Sequence, residues 1–316
     1  MALTPSDKIW RNGTMVAWDD ARIHVLSHVV SYGSGLFEGL RCYATIHGPA
    51  IFRLRDHMQR LLNSAKVYRM ECGFTRSQLE RACVDLIRVN HLPQAYIRPI
   101  VLRGYGSMGI GVKDQECPIE TYIAAWNWSD YLGGTSITEG VDARVASWTR
   151  IAPNTLPVMA KAAANYMNSQ LIKMEALADG YQEGIALDEA GHISEGSGEN
   201  VFLVREGKLF TPPISSSVLP GITRDSVIRI ATDMGLDVVQ EPLPREALYL
   251  ADEAFFSGTA VEISPIKAVD RRTVGSGTRG PITKAIQDRY FALAKGEADD
   301  VYGWLTPVES PVEAAK

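Results

Sequence analysis

The sequence is poor in the patterns that mark metal sites and disulfide frameworks. Its 316 residues include four widely scattered cysteines with no Cys-x-x-Cys pair, Cys42, Cys72, Cys83 and Cys117. This spacing argues against a zinc site and a disulfide framework, and it predicts reduced, mostly buried thiols. The six histidines show no metal-binding spacing either, so we expect packed or solvated imidazoles and no metal.

Positive charge and long apolar runs are also scarce. Lys plus Arg number 32 against 37 Asp plus Glu, which gives no reason to expect nucleic acid or an anionic membrane as a partner. No apolar run approaches the roughly eighteen residues of a membrane span, and the N-terminus MALTPSDKIW lacks the features of a signal peptide. We expect a cytoplasmic protein in which an anionic small ligand needs a local binding site.

Length and periodicity predict two domains of the α/β (α+β) class. Helices are predicted at 56–69, at 78–89, from about 161, and at 223–234. Strands are predicted at 22–28, 50–54, 95–102, 121–126, 141–148, 183–187, 200–204 and 208–210. The glycine-rich stretch NWSDYLGGTS separates two such series. We therefore expect a small N-terminal domain at 1–126, an interdomain loop at 127–139 and a larger C-terminal domain at 140–316.

One lysine stands apart from any carboxylate. Lys161 lies in PVMAKAAANY, among small and apolar residues. The simpler interpretation is a solvated helix face, since lysines are rarely buried without a partner. The alternative is an amine that is used chemically, because a desolvated amine near other cations loses its proton more readily and becomes a nucleophile.

Three features suit a phosphate group, and each also has an ordinary structural explanation. LPGITRD (219–225) precedes an amphipathic helix, where free backbone N–H groups attract anions; an ordinary Thr223 N-cap is the alternative. FSGTA (256–260) could present further amides, or could be a plain turn. Arg60 in HMQRL could grip a phosphate through two hydrogen bonds, or could form a surface salt bridge.

Two glutamates lie in the tract GHISEGSGEN (191–200), which is too rich in Gly and Ser for a regular strand or helix. One of them could simply cap or pair. A carboxylate held there could instead keep a pyridine nitrogen protonated, as a cofactor that withdraws electrons from a carbanion requires. Lysine, phosphate cradle, arginine, tyrosine and glutamate together indicate pyridoxal 5′-phosphate.

The sequence closely resembles the branched-chain amino-acid aminotransferases, which are fold-type-IV pyridoxal-phosphate enzymes. The resemblance runs from about residue 9 to 304, through FEGLRCY, HMQRL, AYIRP, APNTLPVMAKAAANY, GYQEGIALDEAGHISEGSGEN, LFTPP, LPGITRD and SGTAVEISP. It implies a small N-terminal α/β domain, a larger C-terminal domain with a pseudobarrel, and a cofactor between them.

The resemblance also implies a role for each matching cofactor residue. Lys161 is similar to the lysine that forms the Schiff base with the cofactor and then moves the proton between substrate and cofactor carbons. Tyr166 matches the tyrosine that bonds the phenolic oxygen, and Glu195 matches the carboxylate at the pyridine nitrogen. The remaining cofactor-binding positions are the phosphate-binding residues Arg60, Ile222, Thr223 and Thr259, and Leu219 near the ring.

For the substrate, the resemblance implies that Tyr96 and the turn amides of Thr259 and Ala260 receive the α-carboxylate. Arg98, with Tyr32, is similar to the device that accepts the second carboxylate of glutamate. An apolar pocket is expected from Phe37, Tyr32, Trp128, Tyr131 and Tyr166, although each aromatic residue taken alone would suit core packing. Met108, Gly109 and Ile110 match a loop that reaches the neighbouring subunit's pocket, which implies a homodimer at least, with a homohexamer as the alternative.

The expected activity is reversible, ping-pong transfer of the amino group of L-leucine, L-isoleucine or L-valine to 2-oxoglutarate, through the Schiff base at Lys161. Rivals within the fold are a D-amino-acid or (R)-amine aminotransferase and an aminodeoxychorismate lyase. A non-catalytic module that binds a sugar phosphate or nucleotide through LPGITRD is the rival from another class. Two departures are notable: Ala162, Ala163 and Ala164 stand where relatives often carry glycine or serine, and GVK after Ile110 lacks the expected prolines.

Overall fold

The structure, a computed structural model, describes residues 3–128 and 136–308. The chain divides into two compact units. Unit 1 comprises Met1–Ser129, Ala160–Ala164 and Ala292–Lys316, and unit 2 comprises Asp130–Met159 and Asn165–Phe291. These units are defined by the compactness of the chain, which does not show that either of them folds independently. The domain boundaries predicted at 126 and 139 therefore stay a prediction.

The elements of the first part are, in chain order, β1 (Lys8–Arg11), β2 (Thr14–Ala17), α1 (His28–Tyr32), β3 (Gly35–Phe37), β4 (Leu40–Thr45), β5 (Gly48–Phe52), α2 (Leu54–Val67), α3 (Arg76–Val89), β6 (Ala95–Arg103) and β7 (Ile119–Trp126). The second part contains α4 (Ser136–Glu139), β8 (Val141–Val145), α5 (Tyr166–Ala178), β9 (Glu183–Leu187), β10 (Ile193–Gly196), β11 (Asn200–Arg205), β12 (Lys208–Thr211), α6 (Ile222–Asp233), β13 (Val238–Gln240), α7 (Ala247–Leu250), β14 (Glu253–Gly258), β15 (Glu262–Val269), β16 (Arg272–Thr273), α8 (Pro281–Ala294) and β17 (Leu305–Pro307).

Unit 1 is an antiparallel sheet covered by two helices. The strand order is β17-β5-β4-β6-β7-β1-β2, and β3 pairs with β6 as well. The apolar faces of α2 and α3 pack on this sheet in one core that includes Met58, Leu61, Leu86 and Ile97. A capping box of Thr75 and Gln78 begins α3. The central strand β6 carries Tyr96 and Arg98, so the sheet fixes both positions.

Unit 2 is a mixed sheet in the order β10-β9-β8-β15-β14-β11-β12-β13, with β16 on β15. Strands β8, β9 and β15 pair in parallel, whereas β11 and β14 pair in antiparallel fashion, with Asn200 opposite Ser257. The core of this unit is formed by residues such as Ile185, Val201 and Phe256. The antiparallel pair brings the start of β11 and the end of β14 together.

Most predicted elements are confirmed, among them α2, α3, α6, β6, β7, β9, β11 and β12. The strand predicted at 22–28 is wrong: this segment is a turn with Val25 72% exposed, and α1 begins at His28. The helix predicted from about Lys161 begins later, with a 3₁₀ turn at Ala163–Asn165 and α5 from Tyr166. The tract 191–200 contains a short strand, β10, whose pairing with β9 is irregular.

The described part of the chain has no helix that is both long and apolar enough to cross a membrane. Across residues 3–128 and 136–308, no cluster of His, Cys, Asp and Glu side chains is arranged to hold a metal ion. All four cysteines are free and buried, as predicted.

Candidate active site

Lys161 lies in a short non-helical segment that belongs to unit 1. Its backbone N–H donates to Ser64 Oγ of α2 at 3.1 Å, and its carbonyl oxygen accepts from the Phe37 N–H at 3.1 Å. The next residue, Ala162, bridges to Leu36 and is 1% exposed. The backbone of Lys161 is therefore held by both α2 and β3, so displacement of the amine requires rotation of the side chain.

The amine of Lys161 has an unusual environment. Burial and the positive charge of Arg60 lower its pKa from 10.5 to about 8; Glu38 and Tyr96 act in the opposite direction. The ammonium nitrogen lies 4.9 Å from the centroid of the Phe37 ring. The interpretation as a solvated helix face is wrong for this partly buried, non-helical lysine. A lowered pKa makes the neutral, nucleophilic amine available closer to neutral pH.

Arg60 lies one helical turn before Ser64 on α2, and it is bonded to a buried carboxylate. Its Nε and Nη2 donate to the two oxygens of Glu38 at 2.6 and 2.8 Å, while His57 Nδ1 lies 2.7 Å from Glu38 Oε2. Glu38 is 0% exposed and His57 2% exposed. Arg60 thus forms a buried ion pair rather than the surface salt bridge weighed from sequence.

Tyr96 and Arg98 lie two residues apart on β6 and touch each other. Arg98 Nη2 donates to the Tyr96 hydroxyl at 3.2 Å, and the guanidinium carbon lies 4.8 Å from the centroid of the Phe37 ring. Trp128 stacks on Tyr96 with ring centroids 4.5 Å apart. The structure therefore brings together four of the predicted substrate residues, Phe37, Tyr96, Arg98 and Trp128.

Other predicted substrate residues are not part of this cluster as far as the structure describes it. Tyr32 ends α1 and is 44% exposed, and Ile110 is 92% exposed in a loop with Met108 and Gly109. Tyr131 lies outside the described residues. Their assignment to a substrate pocket stays a prediction.

Unit 2 gathers a second set of residues around Glu195 on β10. One carboxylate oxygen accepts from Arg150 Nη2 at 2.7 Å, and the other accepts from the Leu219 N–H at 3.0 Å and from Asn200 Nδ2 at 3.1 Å. Glu195 and Arg150 are almost completely buried. The guanidinium of Arg150 on one oxygen and the two N–H donors on the other are interactions that favour a negatively charged carboxylate.

The start of α6 lies beside this carboxylate. Asn200 Nδ2 also donates to the Leu219 carbonyl oxygen at 3.1 Å, and a Cβ added at Gly221 would come within 1.9 Å of Asn200 Oδ1. Gly221 is the N-cap, so Thr223 is the second helical residue and the Thr223 N-cap considered above is wrong. The first amides of α6, at Ile222 and Thr223, lie where helices attract anions.

The third predicted phosphate feature adjoins the same place. Asn200 pairs with Ser257 across β11 and β14, and Thr259 and Ala260 form the turn that follows β14. Ser257 Oγ is buried and has no hydrogen-bond partner among the described residues. A buried hydroxyl that lacks a partner beside a helix N-terminus is suited to an additional acceptor, such as a phosphate oxygen.

The remaining predicted cofactor residue, Tyr166, is the first residue of α5.

Several residues of these clusters were not predicted from sequence, namely Glu38, His57, Ser64, Arg150 and Asn200. Glu38 lies in FEGLRCY, and the spacing of His57, Arg60 and Ser64 at i, i+3 and i+7 places them on one face of a predicted helix. That helical spacing was the available signal. Nothing local in the sequence pairs Arg150 with Glu195.

The comparisons with known proteins identify the family of the chain. Residues 35–269 match the family Amino-transferase class IV, and the chain belongs to that family. The chain is 52% identical to a branched-chain-amino-acid aminotransferase of Salmonella typhimurium strain LT2, over 98% of this chain and 100% of that protein.

Two solved structures are similar over almost their whole length. The crystal structure of the Escherichia coli branched-chain amino acid aminotransferase has a TM-score of 0.94 and 51% identity, covering 96% of this chain and 100% of that one. The branched-chain amino acid aminotransferase of Thermobaculum terrenum, in its PLP-form (holo-form), has a TM-score of 0.90 and 36% identity, covering 97% of this chain and 99% of that one.

Proposed function

We propose that the protein is a branched-chain amino-acid aminotransferase that depends on pyridoxal 5′-phosphate. It transfers the amino group of L-leucine, L-isoleucine or L-valine to 2-oxoglutarate, giving the branched 2-oxo acid and L-glutamate. The observation that carries this proposal is the buried amine of Lys161, with a pKa of about 8, in a chain 52% identical to such an enzyme over 98% of its length.

The donor groups fit this cofactor. Arg60, the N-terminal amides of α6 and the Ser257–Thr259 segment suit its phosphate, and Glu195 suits its ring nitrogen. Lys161 suits its aldehyde. When bound, the cofactor supplies a carbonyl carbon that accepts an amino group and a ring that withdraws electrons from the substrate α-carbon.

The protein groups then have defined tasks. With a pKa near 8, the Lys161 amine can take the proton from the substrate α-carbon and return one during the reverse half-reaction. Glu195, which is paired with Arg150, would stabilise a proton on the ring nitrogen of the bound cofactor. The 2-oxo acid of the donor leaves before 2-oxoglutarate binds, so one lysine serves both half-reactions.

One substrate cluster must accept both an aliphatic chain and a second carboxylate. Phe37 and Trp128 offer apolar ring faces, whereas Arg98 and the Tyr96 hydroxyl offer donors beside them. Arg98 Nε is buried and has no hydrogen-bond partner in the described structure. This composition supports a pocket in which glutamate carboxylate binds Arg98 while leucine contacts the rings.

The test is a donor panel with purified protein and added cofactor. L-Leucine, L-isoleucine and L-valine are expected to give glutamate from 2-oxoglutarate; D-alanine and (R)-phenylethylamine are the donors of the rival aminotransferases. Turnover of these alone would contradict the proposal. Substitution Lys161→Ala is expected to abolish turnover, whereas a sugar-phosphate or nucleotide module would keep its ligand.

The proposal extends to a homodimer at least. Large apolar side chains are exposed along α5, at Met167, Met174 and Leu177, with exposed fractions of 56–63%. Contiguous exposed apolar residues on one helix are typical of protein interfaces. Sedimentation velocity should give a molecular mass at least twice the 34.7 kDa of one chain.

We also propose a cytoplasmic location, since four free buried thiols suit a reducing compartment.

A further inference from the structure

One face of α2 carries a continuous row of polar side chains that all point to the Lys161 cluster. His57 and Arg60 bond to Glu38, and one turn later Ser64 Oγ accepts from the Lys161 N–H. The adjoining face of the helix packs Met58, Leu61 and Ala65 into the core of unit 1. This polar row is therefore held rigidly by the packing of α2.

The group at the centre of this row is Glu38, and its environment is extreme. Burial alone would raise the pKa of Glu38, but the charge and hydrogen bonds of Arg60, with those of His57, hold it well below its usual range. Burial lowers the pKa of His57, so its ring is neutral near pH 7 and donates through Nδ1–H. Glu38 and Arg60 therefore form a neutral pair.

A pair of this kind needs a reason beyond the stability of the fold. The free-energy cost of removing two charges from water can exceed the attraction between them. In many proteins a well-packed apolar pair is therefore at least as stabilising as a buried ion pair. The attested use of buried ion pairs is to fix one geometry. Here Glu38 takes two of the five N–H donors of Arg60 and leaves the guanidinium one orientation.

We propose that Glu38 is a positioning residue that fixes the guanidinium of Arg60, with support from His57, in the orientation that binds the phosphate group of the cofactor. The inference deepens the proposed function and rests on it. Glu38 itself does not contact the phosphate, since two anions would repel each other. It acts through Arg60.

The orientation role and a simple charge role predict opposite results. If Glu38 only neutralised Arg60, its removal would strengthen the attraction between Arg60 and a phosphate. If Glu38 orients Arg60, its removal lets the guanidinium rotate away and weakens binding. Substitution Glu38→Gln removes the charge with almost no change in volume, and it replaces one of the two acceptor oxygens with an NH₂ group that cannot accept from Arg60.

The experiment measures equilibrium binding to cofactor-free protein by dialysis, with pyridoxal 5′-phosphate and with pyridoxal, which lacks the phosphate. We expect Glu38→Gln to weaken binding of pyridoxal 5′-phosphate about tenfold, the equivalent of one charge-assisted contact, and to leave pyridoxal unchanged. Tighter binding of the phosphate compound, or equal weakening of both compounds, would overturn the proposal. Wild-type protein that binds neither compound would instead refute the proposed function.

A matched control is Glu253→Gln in unit 2. Glu253 is also buried, and it accepts from the N–H groups of Ile282 and Thr283 and from the Thr283 hydroxyl at 2.6–3.0 Å. Its loss should lower the melting temperature without changing the binding ratio of the two compounds. A changed ratio in Glu253→Gln would mean that general loosening explains the effect of Glu38→Gln.

A double-mutant cycle tests the route through Arg60. Once Arg60→Met has removed the guanidinium, adding Glu38→Gln should change binding of pyridoxal 5′-phosphate less than about twofold, because nothing remains to be positioned. Additive effects would contradict the proposal. Should Glu38→Gln fail to fold, His57→Leu removes one support of Glu38 and is expected to weaken phosphate-dependent binding in the same direction; unchanged binding in that variant would count against the proposal.

Discussion

Substitution of Lys161 by Met should stabilise the cofactor-free protein, and it should do so in a manner that depends on pH. Met has a similar length and no charge. In the folded protein, burial and the charges of Arg60 and Arg98 make the ammonium form of Lys161 unfavourable. The burial and the positive charges that lower the pKa of the amine therefore also reduce the stability of the cofactor-free protein.

The magnitude follows from the pKa of the amine. It falls from 10.5 to about 8 on folding, and a tenfold change in a protonation equilibrium corresponds to about 1.4 kcal/mol. Retaining the charged amine therefore costs up to about 3 kcal/mol at pH 7, where both folded and unfolded states are protonated. Because the unfolded state binds more protons between pH 8 and 10.5, stability rises with pH there and the cost disappears.

The assay is urea unfolding of wild-type protein and Lys161→Met, both without cofactor, at pH 7 and pH 9.5. The stabilisation by Met should be about 2 kcal/mol smaller at pH 9.5 than at pH 7. Subtracting the stabilisation at pH 9.5 from that at pH 7 removes the contribution of the extra apolar surface of Met, because that contribution does not depend on pH. The far-UV circular dichroism of both proteins should match at each pH.

Two results would refute the reasoning. A gain of the same size at both pH values would show that the amine does not change its protonation on folding. A loss of stability at pH 7 would show that Lys161 makes a favourable charged interaction in the empty fold. Either result would remove the physical basis for treating this amine as a prepared base.

Two other predictions follow from local geometry. A Cβ at Gly39 would lie 1.9 Å from the Tyr96 hydroxyl oxygen, so Gly39→Ala must displace Tyr96. We expect this substitution to lower kcat/KM about tenfold for leucine and for glutamate alike. Unchanged kinetics would exclude Tyr96 from substrate binding. Burial raises the pKa of Cys42 to about 12 and also raises that of Cys83, so iodoacetamide at pH 8 should leave both unlabelled until urea is added. Rapid labelling of the native protein would contradict their burial.

The local periodicity of the sequence was sufficient to predict most helices and strands. It failed where contacts between residues far apart in sequence determine the secondary structure. The segment 22–28 contains the apolar and β-branched residues that are typical of a strand. Apart from the Ser27 bridge to Tyr105, however, it pairs with no described strand, and Val25 is left 72% exposed. The alanines after Lys161 favour a helix by propensity. The bridge between Ala162 and Leu36 and the bond from the Lys161 N–H to Ser64 Oγ instead keep Lys161 and Ala162 out of the helix, which is preceded by a 3₁₀ turn at Ala163–Asn165.

The candidate site shows the same division. Lys161, Arg60 and Glu195 could be named as candidates from the sequence because each belongs to a specific motif. Their partners could not, because Glu38 is 22 residues from Arg60 in sequence, and Arg150 is 45 residues from Glu195. Only the tertiary fold of each unit brings these charges together.

Two of the three alanines beside Lys161, Ala163 and Ala164, face glycines in unit 1. Ala164 Cβ lies 3.1 Å from the position that a Cβ would take at Gly33, and Ala163 Cβ lies 3.7 Å from that position at Gly35. Gly33 has φ 62°, the left-handed conformation in which glycine ends α1.

The extra methyl groups are thus accommodated by glycines on the facing segment and need not crowd the lysine. Alanine also restricts the backbone more than glycine does. The alanines therefore make the segment after Lys161 stiffer than a glycine pair would, so that movement of the Lys161 amine depends on rotation of its side chain rather than on motion of its backbone.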